Sequence, residues 1–381
     1  MSLTFVLAPD SFKESMTADQ ACKAMQRGIH QVFPHARCIH VPMADGGEGT
    51  VDALITSLSG QKVECTVRGP LASQCVQTYL GWIESERTAV IEMAKANGIH
   101  LLEKELRDPM LTSTYGTGEM IQLALDVGAK KIIIGLGGSV TNDAGAGMAQ
   151  ALGVKFYDQF GLQVDACGGN LDQIVEIDIT LLDPRLSHTE IMIASDVNNP
   201  LCGEHGASYI FAPQKGANAE IVKTLDHHLE YFSDLVEERL RIHVKHIAGA
   251  GAAGGLGFGL MAFAGAKIRS GVSLVVEQVA LAEKIIQADY VFTGEGKIDF
   301  QTKFGKTPFG VAQVAKELAK PVIAFAGLVD DENNGGISGL FQQGFTEILS
   351  INPPNTQLEM ALKNAEFYLE QACIGVCENL A

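Results

Sequence analysis

Hydrophobic and polar positions in the first sixty residues predict a β-α-β unit. Segments of strand length are predicted at residues 4–8 and 37–41. Between them, apolar residues recur at helical spacing from Ala21 to Phe33, and Thr17 with Gln20 matches a capping box that begins a helix. A further helix is predicted after the next loop. Strands alternating with helices in this way are typical of a parallel sheet.

The pattern changes in the middle of the chain. From Lys62 to Glu92 apolar and polar residues alternate, as in antiparallel strands. Strands are then predicted at 132–134 and 191–194, and helices at 118–128 and 218–240.

The last hundred residues return to alternating strands and helices. Strands are predicted at 290–293, 321–326 and 346–349, with helices beginning near Thr307 and Leu358. Both ends of the chain therefore share one pattern, and the middle has another.

This organisation predicts an α/β protein of two domains. A discontinuous, doubly wound domain of the flavodoxin or Rossmann type would comprise residues 1–68 and 285–381. A second α/β domain, residues 69–284, would be inserted into it, with the active site in the cleft between them.

The amino-acid composition and net charge indicate which kinds of binding partner are expected. The chain has 381 residues, of which 46% are apolar and 19% charged, with a net charge of −17. Such acidity disfavours nucleic acid and anionic membranes as partners. The eight cysteines form no C-x-x-C pair, and the N-terminus lacks the basic region of a signal peptide, so a reducing cytoplasm is expected. Residues 247–265 carry no charge, but seven are glycine, which indicates a buried loop and helix rather than a membrane span.

The most informative motif is the glycine-rich turn that follows the strand at 132–134. Its glycines and small hydroxyl residues lead into a predicted helix near Met148. Backbone N–H groups and a helix N-terminus in this arrangement favour an anion such as phosphate. An ordinary strand-to-helix connection fits the same residues.

Polar clusters follow several other predicted strands, where ligands gather in open α/β sheets. Phosphoryl transfer requires carboxylates for a metal or a base, and cations or N–H groups for phosphates. Each of the acids also fits a helix cap, a turn or a solvated loop. The candidate acids are Asp45, Glu48, Asp143, Asp196, Glu295 and Asp299, and the candidate cations are Lys13, Lys215, Lys297 and Lys306.

Two glycine motifs point to other nucleotide-binding classes. Gly305–Thr307 resembles the end of a P-loop, but Phe300 stands where that loop needs glycine. Gly249–Gly254 fits G-x-G-x-x-G, with Glu277 near the position of a ribose-binding acid. Close helix packing or a second phosphate contact explains the same glycines. No zinc-protease or nucleophile-elbow motif occurs in the sequence.

Taken together, the motifs resemble the bacterial type I glycerate kinase family over nearly the whole chain. The resemblance implies ATP- and Mg²⁺-dependent phosphorylation of D-glycerate, at the 2-hydroxyl, by an enzyme of two α/β domains. The matching segments are Ala8–Ser15, Pro42–Thr50, Gly137–Gly147, Ser195–Leu201, Gly206–Ala217, Gly249–Gly257 and Thr293–Asp299.

Two positions depart from the family pattern. Ala144 stands where a glycine is frequent, so a backbone with negative φ is expected there. Lys297 stands where arginine is common, and it loses the bidentate geometry of a guanidinium group.

Given this resemblance, each candidate residue receives a hypothetical role. Asp196, and after it Asp45, would act as the base or orient the hydroxyl, and Lys297 would offset the developing charge. The substrate-binding residues would be Ser11, Lys13 and Asn198, the phosphate-binding residues Gly137, Gly138, Ser139, Thr141, Asn142 and Lys215, and the metal ligands Glu295 and Asp299.

Two other functions stay open from the sequence. An NAD-dependent oxidoreductase acting on a small hydroxy acid would use Gly249–Gly254. A non-catalytic sensor of small acids would keep the binding site without the chemistry. The sequence indicates no particular oligomeric state.

Overall fold

The computed structural model describes residues 3–331 and 336–381. The chain divides into two compact units. Unit 1 comprises residues 1–45, 52–60 and 270–381, and unit 2 comprises residues 46–51 and 61–269.

In chain order, the strands of the described residues are β1 (Thr4–Leu7), β2 (Arg37–His40), β3 (Gln61–Arg68), β4 (Cys75–Ile83), β5 (Thr88–Glu92), β6 (Lys131–Gly135), β7 (Lys155–Tyr157), β8 (Glu176–Asp178), β9 (Glu190–Ala194), β10 (Lys267–Arg269), β11 (Tyr290–Ile298), β12 (Val322–Val329) and β13 (Glu347–Ser350). The α-helices are α1 (Ala18–Val32), α2 (Thr50–Ser57), α3 (Ala94–Asn97), α4 (Tyr115–Asp126), α5 (Ala146–Ala151), α6 (Ala207–Phe211), α7 (Ala219–Leu240), α8 (Ala252–Ala264), α9 (Gly271–Gln278), α10 (Leu281–Ile285), α11 (Thr307–Glu317), α12 (Ser338–Phe341), α13 (Leu358–Lys363) and α14 (Ala365–Leu380).

Unit 1 is built on a five-stranded sheet in the order β13-β12-β11-β1-β2, and every pairing is parallel. Counted within the unit, this is the 2-1-3-4-5 order of a doubly wound sheet. The direction of winding reverses between β1 and β11, and the carboxyl ends of strands at such a switch point form a ligand crevice. The doubly wound α/β architecture expected from the sequence is confirmed.

The core of unit 1 explains why these segments are strands and helices. β1 and the first half of β11 are mainly apolar and lie in the middle of the sheet, and α1 packs with α14 through residues such as Met25 and Leu369. Both hydrogen bonds of the predicted Thr17–Gln20 capping box are present at the start of α1.

Unit 2 contains a six-stranded mixed sheet in the order β10-β9-β6-β5-β4-β3. The pairings among β3, β4 and β5 are antiparallel, as the alternating pattern predicts, and the other pairings are parallel. A second core surrounds the small β7–β8 sheet, where Phe156 packs on Phe232 of α7.

The unit boundaries differ from the predicted ones, 68/69 and 284/285. Residues 61–68 belong to unit 2 because β3 pairs with β4 along its whole length. Residues 270–284 belong to unit 1, where α9 and α10 pack against α11.

Two elements also extend or divide in ways that the sequence pattern does not predict. β11 continues to Ile298, because residues 294–298 pair with β12 instead of forming a loop. The last predicted helix is two helices, α13 and α14, separated at Asn364.

The segment 247–265 is a loop followed by α8, and most of it is buried, as expected. Among the described residues, no helix has the length and apolar character needed to cross a bilayer. The cysteines form no disulfide bond.

Candidate functional site

Three carboxylates lie near the switch point of unit 1, and each comes from a different strand or from the loop after it. Asp10 follows β1, Asp45 follows β2, and Glu295 lies on the carboxyl-terminal half of β11. The Asp10 N–H donates to the carbonyl of Gly294 at 2.9 Å, which fixes the β1 loop against β11. A 2.9 Å bond from the Met43 N–H to the Pro9 carbonyl fixes the β2 loop beside it.

Asp10 accepts hydrogen bonds from two hydroxyl groups at this edge. Its oxygens accept hydrogen bonds from the Thr307 hydroxyl, from the Ser11 N–H at 2.6 Å and from the Ser11 hydroxyl at 3.3 Å. Burial, and then the negative charge of Asp45, raise the pKa of Asp10 to about 7, and the bonds from Thr307 and Ser11 oppose this shift.

Glu295 and Asp299 share a cation. The Lys306 Nζ lies 3.6 Å from Glu295 Oε1 and 3.6 Å from Asp299 Oδ1. Burial raises the pKa of Glu295 to about 7, although Lys306 opposes the shift. Lys297 contacts Asp330 Oδ2 at 2.9 Å and Asp299 Oδ2 at 3.3 Å, so its charge is also neutralised.

The residues predicted to bind Mg²⁺ do not fit an ion held by both carboxylates. The ammonium of Lys306 takes the position between Glu295 and Asp299, and Asp299 also accepts the Gln301 N–H as the cap of a 3-10 helix. In the part of the chain that the structure describes, no group of three or more His, Cys, Asp or Glu residues is arranged to hold a metal.

The predicted substrate loop, which includes Ser11 and Lys13, is held at one end by the core. Phe12 is buried, and it closes a tight turn through hydrogen bonds with Met16. Ser11 is half-buried, and Lys13 is exposed at the tip of the turn. The loop can therefore present a cation and a hydroxyl to a small anionic ligand.

The glycine-rich turn of unit 2 connects β6 to α5 and differs from the expected phosphate cradle. α5 has only six residues, and its N-terminal N–H groups are already satisfied. Asp143 accepts hydrogen bonds from the N–H groups of Gly145 and Gly147, and the Thr114 hydroxyl accepts from the Met148 N–H. An internal carboxylate therefore occupies the N-terminus of α5, and this hydrogen bonding does not support phosphate binding at that end of the helix.

Lys215 supports the same turn from inside. Its side chain is 1% exposed, and its Nζ donates to Ser139 Oγ at 2.9 Å and to the Thr141 carbonyl at 2.7 Å. Burial lowers the pKa of Lys215 to about 7, although the negative charge of Asp143 opposes the shift. A side chain so enclosed positions the turn and does not reach a ligand in this conformation.

The remaining predicted phosphate-binding residues differ in their exposure to solvent. Gly137 and Gly138 are exposed, and Ser139 is 8% exposed. Thr141 and Asn142 are fully buried, and within the described residues Thr141 Oγ1 and Asn142 Oδ1 have no hydrogen-bond partner. Only the first part of the turn is therefore accessible to a nucleotide.

Ala144 has a φ of +53°, so the expectation of negative φ at this position is wrong. Its N–H donates to the Gly254 carbonyl at 3.1 Å, which holds it in the left-handed conformation. A Cβ at Gly254 would lie 2.0 Å from the Thr141 carbonyl oxygen, so this glycine permits close packing of the two backbones.

Close packing also explains the G-x-G-x-x-G match. The element before Gly249 is the helix α7 and not a strand, and the match runs into α8 through left-handed residues at 253–255. The segment thus lacks the strand-to-helix geometry of a dinucleotide-binding turn.

The residues predicted after β9 lie on the surface of unit 2. Asp196 and Asn198 are exposed, in a loop held by a 3.1 Å bond from the Ser195 N–H to the Arg269 carbonyl. Sequence reasoning includes Asp10 in the matching segment Ala8–Ser15 but gives it no role, and it does not identify Thr307 as a functional candidate. Asp10 lies in the loop after β1, and that position is the available signal, whereas its bond to Thr307 joins residues 297 positions apart.

Comparison with known proteins identifies the family of this chain. The family model described as "Glycerate kinase family" matches residues 5–381. The chain belongs to the glycerate kinase family. A glycerate kinase from Halalkalibacterium halodurans is 46% identical over 98% of this chain and 97% of its own. A glycerate 2-kinase from Escherichia coli is 44% identical over 100% of this chain and 98% of its own.

A solved structure supports the same family. A crystal structure from Salmonella typhimurium LT2 that carries the name glycerate kinase 2 superimposes with a TM-score of 0.90 at 42% identity, covering 100% of this chain and 98% of that one. The family assignment makes the chain a kinase, which implies ATP as co-substrate. The oxidoreductase and sensor alternatives receive no support.

Proposed function

We propose that this member of the glycerate kinase family transfers the γ-phosphoryl group of ATP to the 2-hydroxyl of D-glycerate. The observation that carries the proposal is the match of the family model over residues 5–381. The 44% identity to a protein named glycerate 2-kinase supports the choice of hydroxyl. That the two substrates meet in a shared cleft stays a prediction from the sequence.

Different loops would supply different parts of the site. In unit 1, Lys13 and Ser11 would hold the glycerate carboxylate, since they lie on an anchored loop beside the switch point. In unit 2, the exposed backbone of Gly137 and Gly138, with Ser139, would contact the phosphates. Asn142, Thr141 and Lys215 would shape the turn from its interior. Asp196, Asp45 and Asn198 would contact the substrate from their own loops.

We further propose that Mg²⁺ enters on the nucleotide. This ion is commonly held mainly by substrate phosphates and water, with few protein carboxylates, so a preformed cage is not required. Lys297 and Lys306 would balance negative charge at the unit 1 edge, since both lie among carboxylates there. The expected location is the cytoplasm, and nucleic acid and membranes are not expected as partners.

A coupled assay of ADP release tests the function. ADP formation that requires both D-glycerate and ATP would support the kinase. A change in nicotinamide absorbance with glycerate would instead favour the oxidoreductase, and thermal stabilisation by glycerate without either reaction would favour the sensor.

A further inference from the structure

The carboxylates at the unit 1 edge are not equivalent. Glu295 and Asp299 share the ammonium of Lys306, and Asp299 also faces Lys297. Among the described residues, Asp10 forms no ion pair, and its oxygens accept only from hydroxyl groups and one backbone N–H. A carboxylate without a cationic partner keeps its affinity for a proton, which is the property a general base requires.

The position of Asp10 is as distinctive as its partners. It lies three residues after the end of β1, and its N–H is bonded to the Gly294 carbonyl across the point where the winding reverses. Ligands of open α/β sheets bind at this point. Ser11 and Lys13, the proposed glycerate contacts, follow it in the same loop, so a hydroxyl of a three-carbon acid bound there would lie within reach of the Asp10 carboxylate.

We propose that Asp10 is the general base of the reaction and that Thr307 is its positioning residue, an assignment that rests on the proposed kinase function. The Asp10 carboxylate accepts the proton of the glycerate 2-hydroxyl as that oxygen forms its bond to the γ-phosphorus. The bond from the γ-phosphorus to the bridging oxygen breaks, and ADP leaves with the electron pair. The Thr307 hydroxyl, held at the first turn of α11, keeps the carboxylate in one orientation.

The first test compares Asp10→Asn with Asp289→Asn. Asp289 lies at the opposite end of the same sheet, where it accepts the Thr4 N–H, and it is exposed. Asp10→Asn should lower kcat by at least about 100-fold, the usual contribution of a general base, while KM for glycerate changes less than about threefold. Asp289→Asn should stay within about twofold of wild type. A kcat for Asp10→Asn within about fivefold of wild type would overturn the assignment, as would an equal loss in Asp289→Asn.

The second test concerns the Thr307 hydroxyl and does not depend on the folding of an Asp10 variant. Thr307→Val removes the hydrogen bond that opposes the raised pKa of Asp10, so the acidic limb of the kcat/KM profile should move to higher pH. Thr307→Ser keeps a hydroxyl and should retain the wild-type limb. The charged groups facing Asp10 are Asp45 and Glu295, and both stay unchanged in these variants. An unmoved limb in Thr307→Val would contradict the positioning role.

The outcomes distinguish a failure of the Asp10 assignment from a failure of the proposed kinase function. Wild-type protein that forms no phosphoglycerate would overturn the kinase proposal itself. Wild-type activity together with an active Asp10→Asn variant would overturn only the role of Asp10.

Discussion

Asp10 in unit 1 and Asp143 in unit 2 occupy similar places and have opposite surroundings. Each lies in a loop that follows a parallel strand, and burial raises the pKa of each. Asp143 accepts the N–H groups of Thr114, Gly145 and Gly147 and the Thr114 hydroxyl. Asp10 accepts one backbone N–H and two hydroxyls, and the charge of Asp45 acts against it.

The kind of donor around each carboxylate indicates whether that carboxylate has a structural or a chemical role. Backbone donors around Asp143 belong to the fold, so this carboxylate is fixed and inaccessible. Hydroxyl donors around Asp10 can rotate and exchange partners, so this carboxylate can take a proton without breaking the backbone. We therefore expect substitutions at Asp143 to affect stability and those at Asp10 to affect turnover.

The largest stability effect is expected from Asp143→Asn. An amide has one acceptor oxygen and an NH₂ group, so it cannot accept from the donors on both sides of Asp143, and buried N–H groups would lose their partner. The free energy of unfolding should fall by about 3 kcal/mol, measured by urea denaturation. Asp158→Asn is the matched control, because Asp158 accepts the Phe160 and Leu162 N–H groups in an exposed turn. Equal losses in the two variants would contradict the comparison.

Next in size is the effect of Lys215→Met on the use of ATP. The change removes the bonds that fix Ser139 and Thr141, and a displaced turn should lower kcat/KM for ATP by about 100-fold. KM for glycerate should change little. Lys223→Met, on the exposed side of α7, should match wild type in steady-state kinetics. Wild-type kinetics in Lys215→Met would show that the turn needs no internal support.

A different kind of effect, a dependence of stability on pH, is expected from Asp10. The pKa of Asp10 is about 7 in the folded protein and about 4 in an unfolded chain. The folded state therefore binds this proton more tightly, so its stabilising contribution is full below about pH 4 and is lost as the pH rises through about 7. Relative to wild type, Asp10→Asn should become more stable at pH 8 than at pH 4 in urea denaturation. A constant difference across this range would contradict the raised pKa.

The smallest effect is expected from Ala144→Gly. Alanine in the left-handed region is strained, and glycine relieves that strain while making the unfolded chain more flexible. The net result should be a gain of about 0.5 kcal/mol in the free energy of unfolding, measured by thermal and urea denaturation, with kcat unchanged. A loss of stability would mean that the Ala144 methyl group contributes more by packing than it costs in strain.

Periodicity predicts most of the architecture because amphipathic helices bury one face and the central strands of a parallel sheet are buried on both faces. It identifies the parallel strands of unit 1, the antiparallel β3–β5 region of unit 2 and the capping box at Thr17. The extension of β11 to Ile298 depends on pairing with β12, and no local pattern contains that information.

The chemistry of the site was less predictable, because burial and long-range partners decide it. The same residue types that suggest phosphate binding at Asn142 and Lys215 also suit a buried support, and only the fold distinguishes these roles. Glu295 and Asp299 match a metal pair in sequence, yet Lys306 neutralises both.

The most direct test of the account is the NMR spectrum of the product formed from D-glycerate and ATP by the wild-type protein. Proton and phosphorus spectra that show phosphate on the C2 oxygen, with one ADP released per phosphoglycerate, are the predicted result. Phosphate on the C3 oxygen would contradict the assignment of the accepting hydroxyl, and the absence of any phosphoglycerate would contradict the proposed function.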